Sequence, residues 1–295
     1  IHSGNPSLDR REFIPESKYK IAFIPSVNGE IELVVQVSSY SYHTGGIIKD
    51  IEFGTFHSIM DQNNKERAID LFIVSICLLI SVCFSILFFQ KKRKPYIGYF
   101  SGICFFMALY LSTMNHQVLD LIIKYDFIIR LRIQVVAMAM GTVFTLKFVQ
   151  SFFYDEVNQK IMNKLVVIMA LMSLLSLFNP MKPISLQVET IQRILVIGMF
   201  VSFCYMSRCL IKAIYKKVDY IEYIIVIITT MFSYWSTMFI KILFDVNLGN
   251  MSYILILGIM FELVVLISYR LHQEYIEETK KEFQFFYSQI SPHFL

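Results

Sequence analysis

The chain has 295 residues, of which 56% are apolar, and it carries a formal net charge of +4. Soluble domains contain about 45–50% apolar residues, so this composition excludes an ordinary soluble protein. The small, scattered positive charge argues against nucleic-acid binding and suits contact with membrane headgroups. All five cysteines lie in apolar stretches, which excludes a disulfide framework and favours roles in helix packing. The chain begins with Ile and has no signal peptide, so we expect an internal piece of a longer protein.

Residues 1–68 have the pattern of β structure. The runs 19–23 and 31–37 alternate apolar and polar residues, and Asn28-Gly29 between them is a strong signal for a tight hairpin turn. A single hairpin is marginally stable, and this segment is too short to close a two-layer sandwich. We therefore predict the C-terminal part of a larger extracellular β domain, a partial β-sandwich.

From residue 69 onward the pattern changes to apolar runs of about 20 residues, the length that spans a bilayer core. The sequence predicts a bundle of seven transmembrane helices over residues 69–271, and hence a mainly α, polytopic membrane protein. The predicted spans are 69–89, 96–114, 131–149, 161–178, 191–211, 220–244 and 251–271.

The charges between the spans predict the orientation. Fourteen Lys and Arg residues fall on one side of the membrane and six on the other, and the richer side is cytoplasmic by the positive-inside rule. Seven spans then place the β region outside the cell and the C-terminus in the cytoplasm.

Residues 272–290 follow the last span and predict a coiled-coil signalling linker. The apolar positions are spaced by three and four residues, which favours a homodimer through a seam over 276–290. The seam residues are Ile276, Thr279, Phe283, Phe286 and Ile290. The alternative is a solvated helix close to the membrane. At Ser291-Pro292 the pattern breaks, either because a new helix begins there or because one helix kinks.

Few side chains are candidates for chemistry. His293 would lie in the first turn of the new helix, where the helix dipole favours the neutral, nucleophilic imidazole. Glu262 lies near the middle of the last span and is a candidate intramembrane switch that pairs with a cation on another helix, either Lys241 or an arginine of the third span, although a structural hydrogen bond is equally compatible. Arg130 and Arg132 would either bind an anionic ligand or anchor the third span at the interface. No metal-ligand spacing, glycine-rich phosphate loop or serine nucleophile motif is present.

The last seven residues, "QISPHFL", resemble the start of the phosphoacceptor motif of LytS-like sensor histidine kinases, Q-[IL]-x-P-H-F-L-F-N. The matching residues are Gln289, Ile290, Pro292, His293, Phe294 and Leu295. The resemblance implies that residues 291–295 begin a kinase dimerisation module in which His293 is phosphorylated. It also implies ATP with Mg²⁺ in a separate domain, a cytoplasmic response regulator as partner, and no kinase activity for this chain alone.

The layout of a β domain, the segment "FGT" at 53–55 and seven spans resembles the bacterial seven-transmembrane receptors with diverse intracellular signalling modules (7TMR-DISM). That resemblance implies a jelly-roll external domain similar to carbohydrate-binding modules, a bacterial inner-membrane location and an unknown extracellular ligand, for which a carbohydrate is the candidate. Together the residues and the resemblances predict the sensor part of a two-component histidine kinase. The alternatives are a seven-helix receptor without kinase activity and a small-molecule transporter, although no internal repeat supports a transporter.

Overall fold

The structure is a computed structural model of the chain. The residues that it describes are 4–5, 7–9, 11–16, 20–24, 34–35, 37, 51–90, 94–114, 116–178, 185–216, 222–230, 233 and 251–290.

The described residues form long helices joined by short connections. In chain order they are α1 (Phe56–Gln90), α2 (Pro95–Thr113), a 3₁₀ helix η1 (Val118–Leu121), α3 (Phe127–Phe152), α4 (Gln159–Phe178), α5 (Ser185–Tyr215), α6, described over 222–230, and α7 (Met251–Ile290). Pro95 lies at the start of α2, where its missing N–H costs no helical hydrogen bond.

The chain divides into two compact units, Ile1–Met206 and Ser207–Leu295. In the first unit α2 packs against both α1 and α3, and α4 packs against α3. In the second unit the rings of Tyr223 on α6 and Tyr269 on α7 lie 5.5 Å apart.

A serine cluster joins α1 to α2. The hydroxyl of Ser81 donates to the carbonyl of Ser101 at 2.9 Å, and the hydroxyl of Ser101 donates back to the carbonyl of Ser81 at 2.8 Å. The hydroxyls of Ser85 and Ser101 are 2.7 Å apart. Small hydroxyl side chains allow two helices to approach closely in a membrane and satisfy each other there.

Glycine and aromatic residues join α2 to α3. A Cβ built on Gly102 would overlap the ring of Phe144, so this position requires the absence of a side chain. Nearby, the rings of Phe100 and Phe148 are 6.2 Å apart, and those of Tyr96 and Phe152 are 5.5 Å apart with an edge-to-face geometry. The core of the first unit is therefore aromatic.

The helical part of the sequence prediction agrees with the structure. Six helices among the described residues are long and apolar enough to cross a membrane. They correspond to the predicted spans one to five and seven. The predicted span 220–244 is described only at 222–230 and 233, so its full length lies outside the described residues.

The predicted β-sandwich is not supported. The described residues before 56 contain one isolated antiparallel bridge, between Asn5 and Ile14, and no strand. The predicted turn at Asn28-Gly29 lies outside the described residues. A sheet face needs a second layer to cover it, whereas Phe23 and Val34 are exposed here.

The boundary at residue 68 also needs correction, because α1 begins at Phe56. Thr55 precedes the helix, and its hydroxyl accepts a hydrogen bond from the amide of Ser58 at 3.3 Å, as an N-cap does. Residues 56–68, which the sequence assigned to the β domain, are thus the first turns of α1.

Candidate functional site

A group of ionisable side chains lies where α1 meets the connection between α2 and α3. Asp70 of α1 is 5% exposed, and one of its carboxylate oxygens, Oδ2, lies 2.9 Å from Nδ1 of His116. The same oxygen accepts a hydrogen bond from the backbone N–H of His116 at 3.3 Å. The other ring nitrogen of His116, Nε2, lies 3.5 Å from Oε2 of Glu66.

The geometry of this cluster follows from helical spacing. Glu66 and Asp70 are four residues apart, so they lie on one face of α1, one turn from each other. Each carboxylate faces a different nitrogen of the same imidazole. We name Glu66, Asp70 and His116 the carboxylate–histidine cluster.

The residue that follows His116 has an unusual backbone. Gln117 has a φ of 49°, in the left-handed region, and its side chain is buried. This conformation is uncommon for a residue other than glycine and carries strain. Gln134 of α3 contacts the chain shortly before Gln117. Its Nε2 donates to the carbonyl of Thr113 at 3.0 Å.

A second charged group lies along the α2–α3 connection. Arg130 of α3 is buried, and its guanidinium lies 5.0 Å from the centre of the Phe127 ring. Its charge interacts with Asp120 of η1 and with Tyr125. Burial, together with the Asp120 carboxylate, raises the pKa of Tyr125 to about 12.

These surroundings bear on the predicted anion site at Arg130 and Arg132. The Asp120 carboxylate attracts the charge of Arg130. The Nη1 of Arg132 donates to the carbonyl of Leu177 at 3.4 Å, which ties α3 to α4. Neither contact supports a shared anion site, and both fit the alternative of anchoring the third span.

A polar network lies at the α3–α4 connection. Lys147 donates to the side-chain oxygens of Gln150 at 2.9 Å and Asn163 at 3.3 Å. Asn158 caps α4, since its Oδ1 accepts from the amide of Lys160 at 3.1 Å. The hydroxyl of Tyr205 on α5 contacts the backbone of Asn158, accepting from its N–H at 3.1 Å. These contacts fix the turn between α3 and α4.

In the second unit, Glu262 has a different partner from the one predicted. The hydroxyl of Thr230 on α6 donates to Oε1 of Glu262 on α7 at 2.7 Å. The other oxygen, Oε2, is buried and has no hydrogen-bond partner among the described residues. Lys241 lies outside the described residues, so the predicted Glu262–Lys241 pair stays a prediction.

The helix α7 extends well past the predicted span. It runs without interruption over 40 residues, Met251–Ile290, and so includes the whole predicted linker 272–290. In this part Phe283 and Phe286 are 60% and 61% exposed, and Tyr287 is exposed as well. His293 lies outside the described residues.

The comparison with protein families decides the class of the protein. A family model described as 7TM diverse intracellular signalling matches residues 66–270. The chain belongs to this family. No curated protein and no solved structure matches the chain.

A 7TM diverse intracellular signalling domain is a membrane receptor domain of signalling proteins. The match begins at Glu66, one of the residues of the carboxylate–histidine cluster, and ends at Arg270, inside α7. It therefore covers every described site except the tail beyond Arg270. The apolar helices agree with it and indicate a multi-pass membrane protein.

Sequence reasoning singled out Glu262, Arg130 and His293 but missed the carboxylate–histidine cluster. One signal was available, because Asp70 is a carboxylate at the very start of an apolar run. Charged residues at such positions are costly in a membrane unless they are paired.

Proposed function

We propose that this receptor domain controls a histidine kinase, in which His293 accepts a phosphoryl group from ATP. The observation that carries the proposal is the uninterrupted helix α7. Forty residues at 1.5 Å each give a length of about 60 Å, twice the thickness of a bilayer core of about 30 Å. The helix ends at Ile290, three residues before His293, so it supports a direct mechanical link between bundle and acceptor.

The proposed orientation places the C-terminal end of α7 in the cytoplasm, where ATP is available. It is supported by the fourteen-to-six distribution of Lys and Arg between the two sides. In the same orientation the start of α1 lies on the outer side of the membrane. The membrane that we propose is the bacterial inner membrane.

The proposed acceptor works within a dimer. Phe283 and Phe286 lie three residues apart on an exposed stretch of helix, and water is a poor environment for such a row of aromatic side chains. A second copy of α7 would cover both rings in a parallel coiled coil. The extracellular ligand, for which a carbohydrate is our proposal, would change how the two α7 helices are placed.

The proposed chemistry is a phosphoryl transfer. A ring nitrogen of neutral His293 attacks the γ-phosphorus of ATP, an N–P bond forms, and the bond to the bridging oxygen breaks to release ADP. A separate ATP-binding domain would supply ATP and Mg²⁺, since the sequence has no glycine-rich phosphate loop. The phosphoryl group would then pass to an aspartate of a cytoplasmic response regulator.

The test is phosphate incorporation from γ-labelled ATP into the full-length protein in membrane vesicles. We expect His293→Gln to abolish the label, because glutamine has no nucleophilic nitrogen. His272→Gln is the matched control, since His272 is an exposed histidine of α7, and it should leave labelling unchanged. Label that persists in His293→Gln would place the acceptor elsewhere. A full-length protein that incorporates no label would support a receptor without kinase activity.

A further inference from the structure

The first turns of α1 form a projecting arm. Residues 56–69 precede Asp70, are mostly exposed and span about 21 Å as a helix. The arm is continuous with the part of α1 that packs on α2. Because α1 is one continuous helix, a displacement of the arm is passed directly to Asp70.

At that level the carboxylate–histidine cluster joins α1 to a different segment of the chain. His116 is 46 residues from Asp70 in sequence, and its side chain is 7% exposed. Asp70 holds both the ring and the backbone N–H of His116, so it fixes the position of the main chain as well as the side chain. Moving α1 while leaving the connection in place would leave the buried carboxylate of Asp70 without its hydrogen-bond partners, which is unfavourable.

The held segment is strained at the residue that follows His116. Gln117 follows His116 in a strained, left-handed conformation that persists only while its surroundings enforce it. It leads directly into η1, which begins at Val118. Release of His116 removes one of the contacts that enforce this conformation.

We propose that Glu66, Asp70 and His116 form a charge clamp through which movement of the α1 arm changes the conformation of the α2–α3 connection. The three are positioning residues, and their role is to transmit a signal from the extracellular side into the bundle. The proposal rests on the proposed orientation, with the arm outside. A coupling of this kind needs an element with two arrangements that both ends bias, and the segment at Gln117 supplies it.

The test is amide hydrogen exchange of the full chain in lipid nanodiscs, read at residues 116–122. Asp70→Asn keeps the shape of the side chain and removes its charge, so we expect exchange there to become about tenfold faster. Asp61→Asn is the matched control on the same helix. Asp61 also faces a histidine, His57, at 3.4 Å, but both side chains are exposed, at 52% and 90%. This control should change the exchange by less than about twofold.

A second variant tests transmission rather than stability. Gln62→Pro disrupts the arm four residues before Glu66 and removes the hydrogen bond that Nε2 of Gln62 donates to Oε1 of Glu66 at 3.3 Å, so it should accelerate exchange at 116–122 in the native background. In an Asp70→Asn background the same proline should add little, because the clamp is already open. Protection of residues 135–149 in α3 against hydrogen exchange should stay unchanged in all variants. This is the control that the helices remain folded.

Two results would overturn the clamp. One is an equal effect of Asp70→Asn and Asp61→Asn on the connection. The other is an equal acceleration by Gln62→Pro in both backgrounds. Neither measurement depends on phosphorylation, so a failed clamp and a failed kinase proposal are distinguishable.

Discussion

Gly102 of α2 lies directly against the ring of Phe144 on α3, and Gly102→Ala probes the helix contact at the centre of the first unit. The added Cβ would overlap three atoms of the ring. The ring cannot easily move away, because it also packs against Tyr99, with centroids 6.3 Å apart, and Phe106, at 5.4 Å. Gly102→Ala therefore forces the two helices apart.

The magnitude follows from two opposing effects. Overpacking of this kind costs about 3 kcal/mol at the upper end of its usual range. Alanine in place of glycine favours the helix by about 1 kcal/mol. We expect the free energy of unfolding to fall by about 2 kcal/mol, the difference between these two effects.

Gly141 provides the matched control, because it lies on α3 at the same interface. A Cβ there would meet only the Cβ of Phe106, at 3.7 Å, which is an ordinary van der Waals distance. Gly141→Ala should therefore gain up to about 1 kcal/mol. The assay is reversible unfolding in mixed micelles, followed by helical circular dichroism. Equal stability changes in the two variants, or a Gly102→Ala variant as stable as the natural protein, would refute the packing argument.

Three further predictions concern polar groups. Ser101→Ala removes the hydrogen bond that the Ser101 hydroxyl donates to the carbonyl of Ser81 and its contacts with the hydroxyls of Ser81 and Ser85, and it should cost about 0.5–1.7 kcal/mol of unfolding free energy; a double-mutant cycle with Ser81→Ala should show non-additive losses. Glu262→Gln keeps an oxygen that accepts the hydrogen bond from Thr230, so it should preserve stability in the same unfolding assay, whereas Glu262→Leu should not. Tyr125 has a folded pKa of about 12 against an ordinary 10, so it contributes stability that is complete below pH 10 and is lost as the pH rises to 12. Unfolding midpoints measured across that window should fall less steeply in Tyr125→Phe.

The helices could be predicted from the sequence because a bilayer imposes a length on each of them. Runs of about 20 apolar residues are visible without any tertiary information. The arm of α1 was missed for the same reason, since residues 56–68 are polar and face water. Its signals are local, such as the cap at Thr55 and the spacing of His57 and Asp61.

The sites were harder to predict because their partners are distant in sequence. Asp70 and His116 are 46 residues apart, and Thr230 and Glu262 are 32 apart. The intramembrane position of Glu262 was visible, but a lone carboxylate does not reveal whether a cation or a hydroxyl lies opposite. Which side chains meet is decided by helix packing, and this depends on contacts such as Gly102 with Phe144.

Because α7 is continuous, its length sets the rotational phase of any signalling module that is joined to its end. Each residue inserted into an unbroken helix turns everything beyond it by about 100° and moves it by about 1.5 Å. Seven inserted residues bring the helix face beyond the insertion back to within about 20° of its starting angle. Insertions of three or four residues leave that face at a larger angle. A new output module would therefore have to be joined in the correct rotational phase, and the length of the linker is as much a part of the receptor's specificity as its side chains.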